Sequence, residues 1–591
     1  MAVSGCGTSG RAVSVFPVSG AITASPRTEI SVRGTRAGEL SDFAVRGSRS
    51  GAHAGHWRGH ADRRGASFVP DAPFERGEAV TVRVGRQVAG VRGDEIRFRI
   101  AGAPGGRPGP VARPAKAPWR GVQRFRSRPD LQPPAIEVLH PAQDADEGAV
   151  FVAPKVGPSQ IGPMILDASG KLVWFHPLKR TDQAFDFRVQ RYRGKLALTW
   201  WQGPLSDFHG RGVGYVYDTT YRRVATVRAG NGYQADLHEF ELTARGTAWI
   251  AAYVPVPWDL SAMGGRTDGT VYDQVVQEVE VDSGAVLFEW HSLGNIALSE
   301  SYQPLPEDRD AVWDPVHVNS IDEEPDGNIL VSGRHTQTVY EIDRRTGKVR
   351  WRLGGKRSSF HSGGRTLFAW QHDARRRRDG TISVYDNAAN AVRPHRESRG
   401  LIVKLDEKAR TAAVGRQFKA SPSVLGPTQG NVQTLPSGNV MVGWGGTVPR
   451  FTEFDADGAV TFDARFLTPG AETYRAYRMP WSATPRARPS IAVREVGGRA
   501  LAFVSWNGAT TVARWRILGG PAIEALRRIG ERSRTGFETR LPLPSSPRVV
   551  VAEALDARGR VLARSAPLRV TRIARRVESS AGHRRTGRAP A

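Results

Sequence analysis

Apolar and polar residues alternate along most of this chain. Ile30 and Val32 alternate with polar neighbours, as do Val80, Val82 and Val84, and again Ile96, Phe98 and Ile100. A period of two marks strands with one face buried. Gly and Ser punctuate them, so residues 11–103 are expected to form an immunoglobulin-like β-sandwich. Residues 104–135 open on Pro104-Gly105-Gly106-Arg107-Pro108-Gly109-Pro110, which can hold neither a ladder nor a helix, and read as a linker. Strands are again expected at Ile491–Val493, Leu501–Trp506, Val512–Ile517, Val549–Ala552 and Val561–Ala563. That spacing makes 487–571 a second sandwich of immunoglobulin or fibronectin type. Residues 572–591, rich in Arg and Ala, are expected to be a disordered basic tail. Helical periodicity is scarce; the stretch from Trp290 through Tyr302 is expected to hold one short helix or a long loop.

Between 136 and 486 the pattern repeats. One phrase is an aspartate at a turn followed by a strand with an aromatic. It occurs as Asp167…Gly170…Trp174, Asp282…Gly284…Trp290, Asp343…Gly347…Trp351 and Asp455…Gly458…Phe462, with weaker copies at Asp218 and Asp406. The starts are 51, 64, 61, 63 and 49 residues apart. Six copies, each long enough for about four strands, predict a six-bladed β-propeller, because a small sheet buries both faces only against neighbours and a ring has no end.

A second phrase is a hairpin with a histidine before it. His238 precedes Gly246 and Ala248–Ala252, His317 precedes Asp326-Gly327 and Ile329–Val331, and His372 precedes Asp379-Gly380 and Ile382–Tyr385. Two further copies, at Phe187–Trp200 and Asn431–Gly443, lack the histidine. Equivalent positions of a repeat face one way, so the three histidines should converge at one mouth of the channel. Asn319, two residues beyond His317 on a strand, shares its face. Arg334 follows the returning strand and could bring a cation to the same place. Three imidazoles, an amide and a guanidinium, with no carboxylate among them, suit an oxyanion such as a sulfate or phosphate ester, and an imidazole is a competent nucleophile.

Other readings compete. Each histidine could merely brace the next blade, or the three could bind a metal, although the strand parity of Glu239 and Asp373 points them away. Thr346–Trp351 echoes the tryptophan docking phrase of quinone-dependent propellers, but once only. A propeller between sandwiches could also be a binding scaffold. His291 and His335 read as structural, Arg375–Arg378 as solvated, and His53, His56 and His60 as members of a solvated loop.

Composition narrows the classes. The net charge is +26 and the pI near 10.8, yet the arginines are scattered and there is no zinc-finger, helix-turn-helix or RNA-recognition signature, so no nucleic-acid partner is expected. Cys6 is the single cysteine, which excludes an intrachain disulfide. Val3-Ser4-Gly5-Cys6 looks like a lipobox, so residues 1–10 could carry a lipid anchor on Cys6, although no apolar run precedes it. No stretch approaches the ~20 apolar residues of a membrane span. An extracytoplasmic location is expected.

Several phrases in order, Asp236-Leu-His238-Glu-Phe240, Asp314-Pro-Val-His317-Val-Asn319-Ser-Ile321, Ser332-Gly-Arg334-His-Thr336, Tyr340…Asp343…Gly347-Lys-Val-Arg-Trp351 and Gln371-His372-Asp373-Ala374, resemble the bacterial arylsulfate sulfotransferases that do not use the PAPS nucleotide. The resemblance covers the propeller region and points to a divergent, Arg-rich branch. It implies a six-bladed propeller without a cofactor. It also implies ping-pong transfer of a sulfuryl group from a phenolic sulfate to a phenol through a sulfohistidine. On that resemblance His372 is the nucleophile, His238 and His317 bind sulfate and shuttle the phenolic proton, and Asn319 and Arg334 donate to the sulfuryl oxygens.

Overall fold

A computed structural model describes residues 12–40, 42–104, 121–155, 160–206, 209–389, 394–468, 470–497, 499–544 and 547–570. Cys6 and its lipobox-like setting, the glycine- and proline-rich heart of the linker and the basic tail lie outside them. The described chain is all-β. Four single 3-10 turns interrupt the strands, one of them Leu298–Glu300 in the stretch after Trp290. The described residues form two compact units, one built on 12–104, 121–124, 130–486 and 508–510, the other on 125–129, 487–507 and 511–570.

In the first unit, residues 14–99 fold into two four-stranded antiparallel sheets, with Val15, Ile30, Val32, Val80, Val82, Ile96 and Phe98 buried in one core. The alternation read from the sequence is the alternation of that core. His56 lies in the strand Gly55–Gly59, not in a loop. His60, at its end, is buried against Arg33 and Ser67 of the neighbouring strands of the same sheet. This module docks on its neighbour through specific bonds. Thr23 Oγ1 donates to Asp273 at 2.6 Å, Glu29 accepts the Val286 N–H at 2.7 Å, and Phe16 packs edge-on to Phe288.

Among the described residues from 136 to 479 the unit holds six large antiparallel sheets, five of four strands and one of five, and a two-stranded ribbon of Leu205–Ser206 with His209–Gly210. Four are continuous in sequence: Gln183–Val227, Phe240–His291, Val318–Gly354 and His372–Phe418. The other two exchange strands. Tyr477–Met479 pairs with Ala149–Val152 of the first sheet, and Ile136–His140 pairs with Val460–Phe466 of the last. The repeated aspartates shape the turns. Asp167 accepts the N–H of Ser169 and Lys171, Asp218 those of Thr220 and Arg222, and Asp455 those of Asp457 and Ala459. Such a carboxylate replaces backbone partners at a tight turn. Gly170 and Gly458, at φ +82° and +93°, supply the left-handed residue that a side chain resists.

The aromatic at the end of each phrase packs one sheet on the next. Trp174 joins Phe187 and Trp200, Trp290 joins Val331 and Tyr340, and Trp351 joins Phe368 and Ile382. A fully buried tryptophan removes roughly 200 Å² from water, about 5 kcal/mol per side chain before entropy is charged.

In the second unit, Ser490–Val496, Arg499–Ser505 and Glu538–Pro542 form one sheet. Five strands, among them Arg514–Gly520 and Val549–Leu555, form another.

Candidate active site

The three histidines stand where the chain enters the first strand of three successive sheets. His238 precedes Phe240–Leu242, His317 precedes Val318–Glu323, and His372 opens His372–Arg376. Register shifts fall between Val318 and Ser320 and between His372 and Arg375. His317, Trp370 and Asp373 take φ of +58°, +56° and +55°. Such bulges re-aim side chains, and left-handed non-glycine backbone persists only where surroundings hold it.

Two carboxylates hold the first two imidazoles. Asp236 accepts from His238 Nδ1 at 2.5 Å and from the His238 N–H at 3.0 Å, and also takes the Gly210 N–H at 2.7 Å. Asp314 accepts from His317 Nδ1 at 2.5 Å and from His209 Nε2 at 3.0 Å, while Gln274 donates to its other oxygen. The expectation of a site without carboxylates is therefore corrected. Asp236 and Asp314 sit two and three residues before their histidines, on connections that the turn folds back onto the ring. The His238 and His317 rings meet edge to face at 4.7 Å. Burial holds His317 well below the usual imidazole range despite Asp314, so it is neutral at pH 7. Tyr253 lies 5.5 Å from His238 and 5.7 Å from His317 between ring centroids.

Arg334 is fixed by its neighbour. His335 donates through Nδ1 to the Asp314 carbonyl at 2.6 Å, so its Nε2 accepts from Arg334 Nη1 at 2.8 Å. The guanidinium lies 4.8 Å over the Trp370 ring, and Nη2 donates to the Pro427 carbonyl. Among the described residues no carboxylate pairs with Arg334 within 4 Å. Burial lowers it to about 10, so it remains charged at neutral pH. His335, read from the sequence as structural, thus joins the site, its ring tilted against that of His317 at 4.6 Å. His291 remains apart, buried between Asp273 and Glu289.

His372 differs from the other two. Its Nδ1 lies 2.8 Å from Asn387 Oδ1, and its Nε2 accepts the Gln429 N–H at 3.1 Å. Burial first, then the Arg334 charge, holds it well below the ordinary imidazole value. Asn319 is buried on the same wall. Its Nδ2 donates to the carbonyl of Gln371, next to His372, and its Oδ1 has no partner. Tyr474 braces the cluster from the closing segment, donating to the carbonyls of His238 and Asn319 at 3.0 and 3.3 Å.

One residue along the same strands the side chains turn the other way. Glu239 and Asp373 enter a second layer with Asp186, Arg188, Arg375 and Arg475. Arg375 is not solvated as its run of four arginines suggested. It is largely withdrawn from solvent, bonded to Glu239 at 2.5 Å, Glu241 at 2.8 Å and Asp373 at 2.9 Å.

For a metal, His209, Asp314 and His317 offer three ligand atoms within 4.8 Å of one another. Sequence reasoning missed Asp236, Asp314, His209, His335, Asn387 and Tyr474. The recurring Asp-x-His and Asp-x-x-His spacing was the available signal for the first two; His335 adjoins Arg334, and His209, Asn387 and Tyr474 lie outside any repeated phrase.

Residues 188–467 match the family model described as arylsulfotransferase (ASST). No curated protein matches the chain. Among solved structures, a protein of unknown function from Bacteroides caccae aligns at 13% identity and TM-score 0.34, over 56% of this chain and 100% of its own. A streptogramin B lyase aligns at 9% identity and TM-score 0.31, over 57% and 90%. A catalytically inactive virginiamycin B lyase from Staphylococcus aureus, with quinupristin, aligns at 12% and 0.27, over 64% and 94%.

Proposed function

The chain belongs to the arylsulfotransferase family, and on that premise we propose that it transfers a sulfuryl group from a phenolic sulfate ester to a phenol through a sulfohistidine on His372. The observation that carries this reading is a partly buried cation without a carboxylate, Arg334, beside three imidazoles whose Nδ1 atoms are all occupied. Occupied Nδ1 atoms leave Nε2 as the reacting nitrogen. Arg334 and an imidazolium neutralise the sulfate oxygens, and stabilisation of such charge in a dry site is the larger share of catalysis.

In the first half-reaction the Nε2 lone pair of His372 forms the N–S bond. The S–O(aryl) bond breaks and the phenolate leaves with its electron pair. The pair His238 and His317, held by Asp236 and Asp314, takes up one proton from solvent as the anionic ester binds and passes it to the phenolate, making it a phenol. In the second half the acceptor phenol returns a proton to that pair. Its oxygen attacks sulfur, and the N–S electrons return to His372. His372, neutral because it is buried, has its lone pair available at pH 7.

The six sheets with exchanged terminal strands are read as blades of a six-bladed propeller, and the flanking sheet pairs as immunoglobulin-like sandwiches. Among the described residues no helix is long and apolar enough to cross a membrane. An extracytoplasmic protein, tethered at Cys6 or free, fits the family.

The test is mass spectrometry after brief incubation with 4-nitrophenyl sulfate and no acceptor, quenched in alkali. One equivalent of nitrophenol and one sulfuryl adduct on the His372 peptide are expected, and neither in His372→Ala. Turnover without an adduct would overturn the sulfohistidine. A second reading rests on His209, Asp314 and His317 as metal ligands. Activity lost to a chelator and restored by a divalent ion would favour it.

A further inference from the structure

The partners of the three histidines are not alike: two are carboxylates and the third is an amide. Asn387 is buried, and its orientation is fixed by its own bonds. Nδ2 donates to the carbonyls of Gly426 at 2.7 Å and Gln429 at 2.9 Å. Two carbonyls can only accept, so the atom toward them must be the NH₂. The atom 2.8 Å from His372 Nδ1 is therefore the amide oxygen, and Nδ1 must carry the hydrogen. The lone pair stands on Nε2. The same five-residue segment that pins the amide, Gly426 to Gly430, also reaches the front of the ring, where the Gln429 N–H points at Nε2 from 3.1 Å. Pro427 of that segment accepts from Arg334.

We propose that Asn387 is a positioning residue that sets the tautomer of His372 and ties it to the Gly426–Gly430 segment, so that the reacting nitrogen and the N–H group facing it are placed by one side chain. This rests on the reading of His372 as nucleophile but makes a claim about the ring that stands without it. A carboxylate in this position would stabilise the imidazolium, in which Nε2 has no lone pair; a neutral amide orients the ring without attracting a second proton. On attack the Nε2 lone pair passes from the Gln429 N–H to sulfur, and that N–H is left beside the new sulfuryl oxygens as a donor. Nδ1–H stays on Asn387 throughout, so the sulfated ring carries an imidazolium charge against its sulfonate and becomes the neutral imidazole again when the N–S electrons return in the second half-reaction.

The test has two readouts. Nitrogen NMR of histidine-labelled protein, with the His372 signal assigned by its loss in His372→Ala, should give a protonated Nδ1 and a bare Nε2 at pH 7.5. It should give a tautomer mixture in Asn387→Leu. A protonated Nε2 in the wild type overturns the proposal whether or not the protein turns over a sulfate ester. In single-turnover release of nitrophenol, Asn387→Leu should slow the burst on the order of 10–100-fold, the usual cost of losing a histidine's outer partner. The near-isosteric Asn387→Asp should retain the fold and move the acidic limb of the burst rate upward by about one to three pH units. A burst unchanged in Asn387→Leu, or an acidic limb unmoved in Asn387→Asp, would make Asn387 structural only. A wild type with the expected tautomer and no burst would leave the proposal about the ring standing and sink the sulfuryl-transfer reading.

Discussion

Two layers of buried charge lie one residue apart on the same strands, and they are built on opposite terms. In the inner ionic layer every guanidinium is matched. Arg475, fully buried, bonds Asp186 at 2.8 Å. Arg188 reaches Glu239 at 2.9 Å, and Arg375 spans Glu239, Glu241 and Asp373. Carboxylates outnumber cations there, and burial together with the neighbouring Glu241 pushes Asp322 up to about 7. In the histidine layer the guanidinium of Arg334 rests on a ring and a carbonyl, and the anions Asp236 and Asp314 face imidazoles instead. A cation spent on internal pairing stabilises; one left unmatched is free to meet an outside anion. The alternation that puts Glu239 behind His238 and Asp373 behind His372 separates the two uses.

The comparison breaks most sharply at Arg475. Arg475→Met should remove about 3–5 kcal/mol of stability or prevent folding, because it strands Asp186 and Glu239 in the interior. Denaturant unfolding would read this, and a loss under 1 kcal/mol would deny the layer its structural role. Arg334→Ala should do the reverse. The rate of sulfuryl transfer should drop by about 2–4 kcal/mol of transition-state stabilisation, while the unfolding midpoint stays close to wild type. A collapse of stability with little change in rate would put Arg334 in the first class.

The histidine layer should also take up protons as it takes up an anion. His317 and His372 are neutral when empty because burial depresses both. A bound sulfate favours the imidazolium, so sulfate affinity should rise as pH falls from 8 to 6. Calorimetry in buffers of different ionisation enthalpy would count the protons. Affinity independent of pH would assign the binding to Arg334 alone.

The smallest effect is expected at the junction of the N-terminal sheets. Asp273 and Glu289 raise His291 to about 10 in spite of its burial. A raised imidazole stabilises the fold in full below pH 6.5 and less as pH climbs through 10, so stability should decline on the alkaline side. Thr23→Val, which deletes a 2.6 Å bond to Asp273, should cost about 1 kcal/mol and steepen that decline. No change in unfolding between pH 7 and 10 would remove His291 from the argument.

Much of this was legible in the chain. The recurring aspartate turns, the period of two and the position of histidine before three hairpins all appear in the structure as turns, strands and a shared wall. The partners were not legible, for two physical reasons. Strand parity holds only in regular ladder. At Val318–Ser320 and His372–Arg375 the ladder is bulged, so a rule of alternation cannot say where Asn319 or Arg375 points. The residues that fix the imidazoles are also remote: Asn387 is fifteen residues from His372, and His209 shares Asp314 with His317 across more than a hundred. No local period records such a pairing.

The exchange of terminal strands has a consequence in time. Tyr474 and Arg475 lie just ahead of the strand that completes the first sheet, and they support His238 and Asn319 from that position. Translation delivers this strand after all three histidines. A nascent chain that has displayed His238, His317 and His372 still lacks two residues that brace His238 and Asn319, so the wall of the site is complete only when the last sheet has been made and the first one finished.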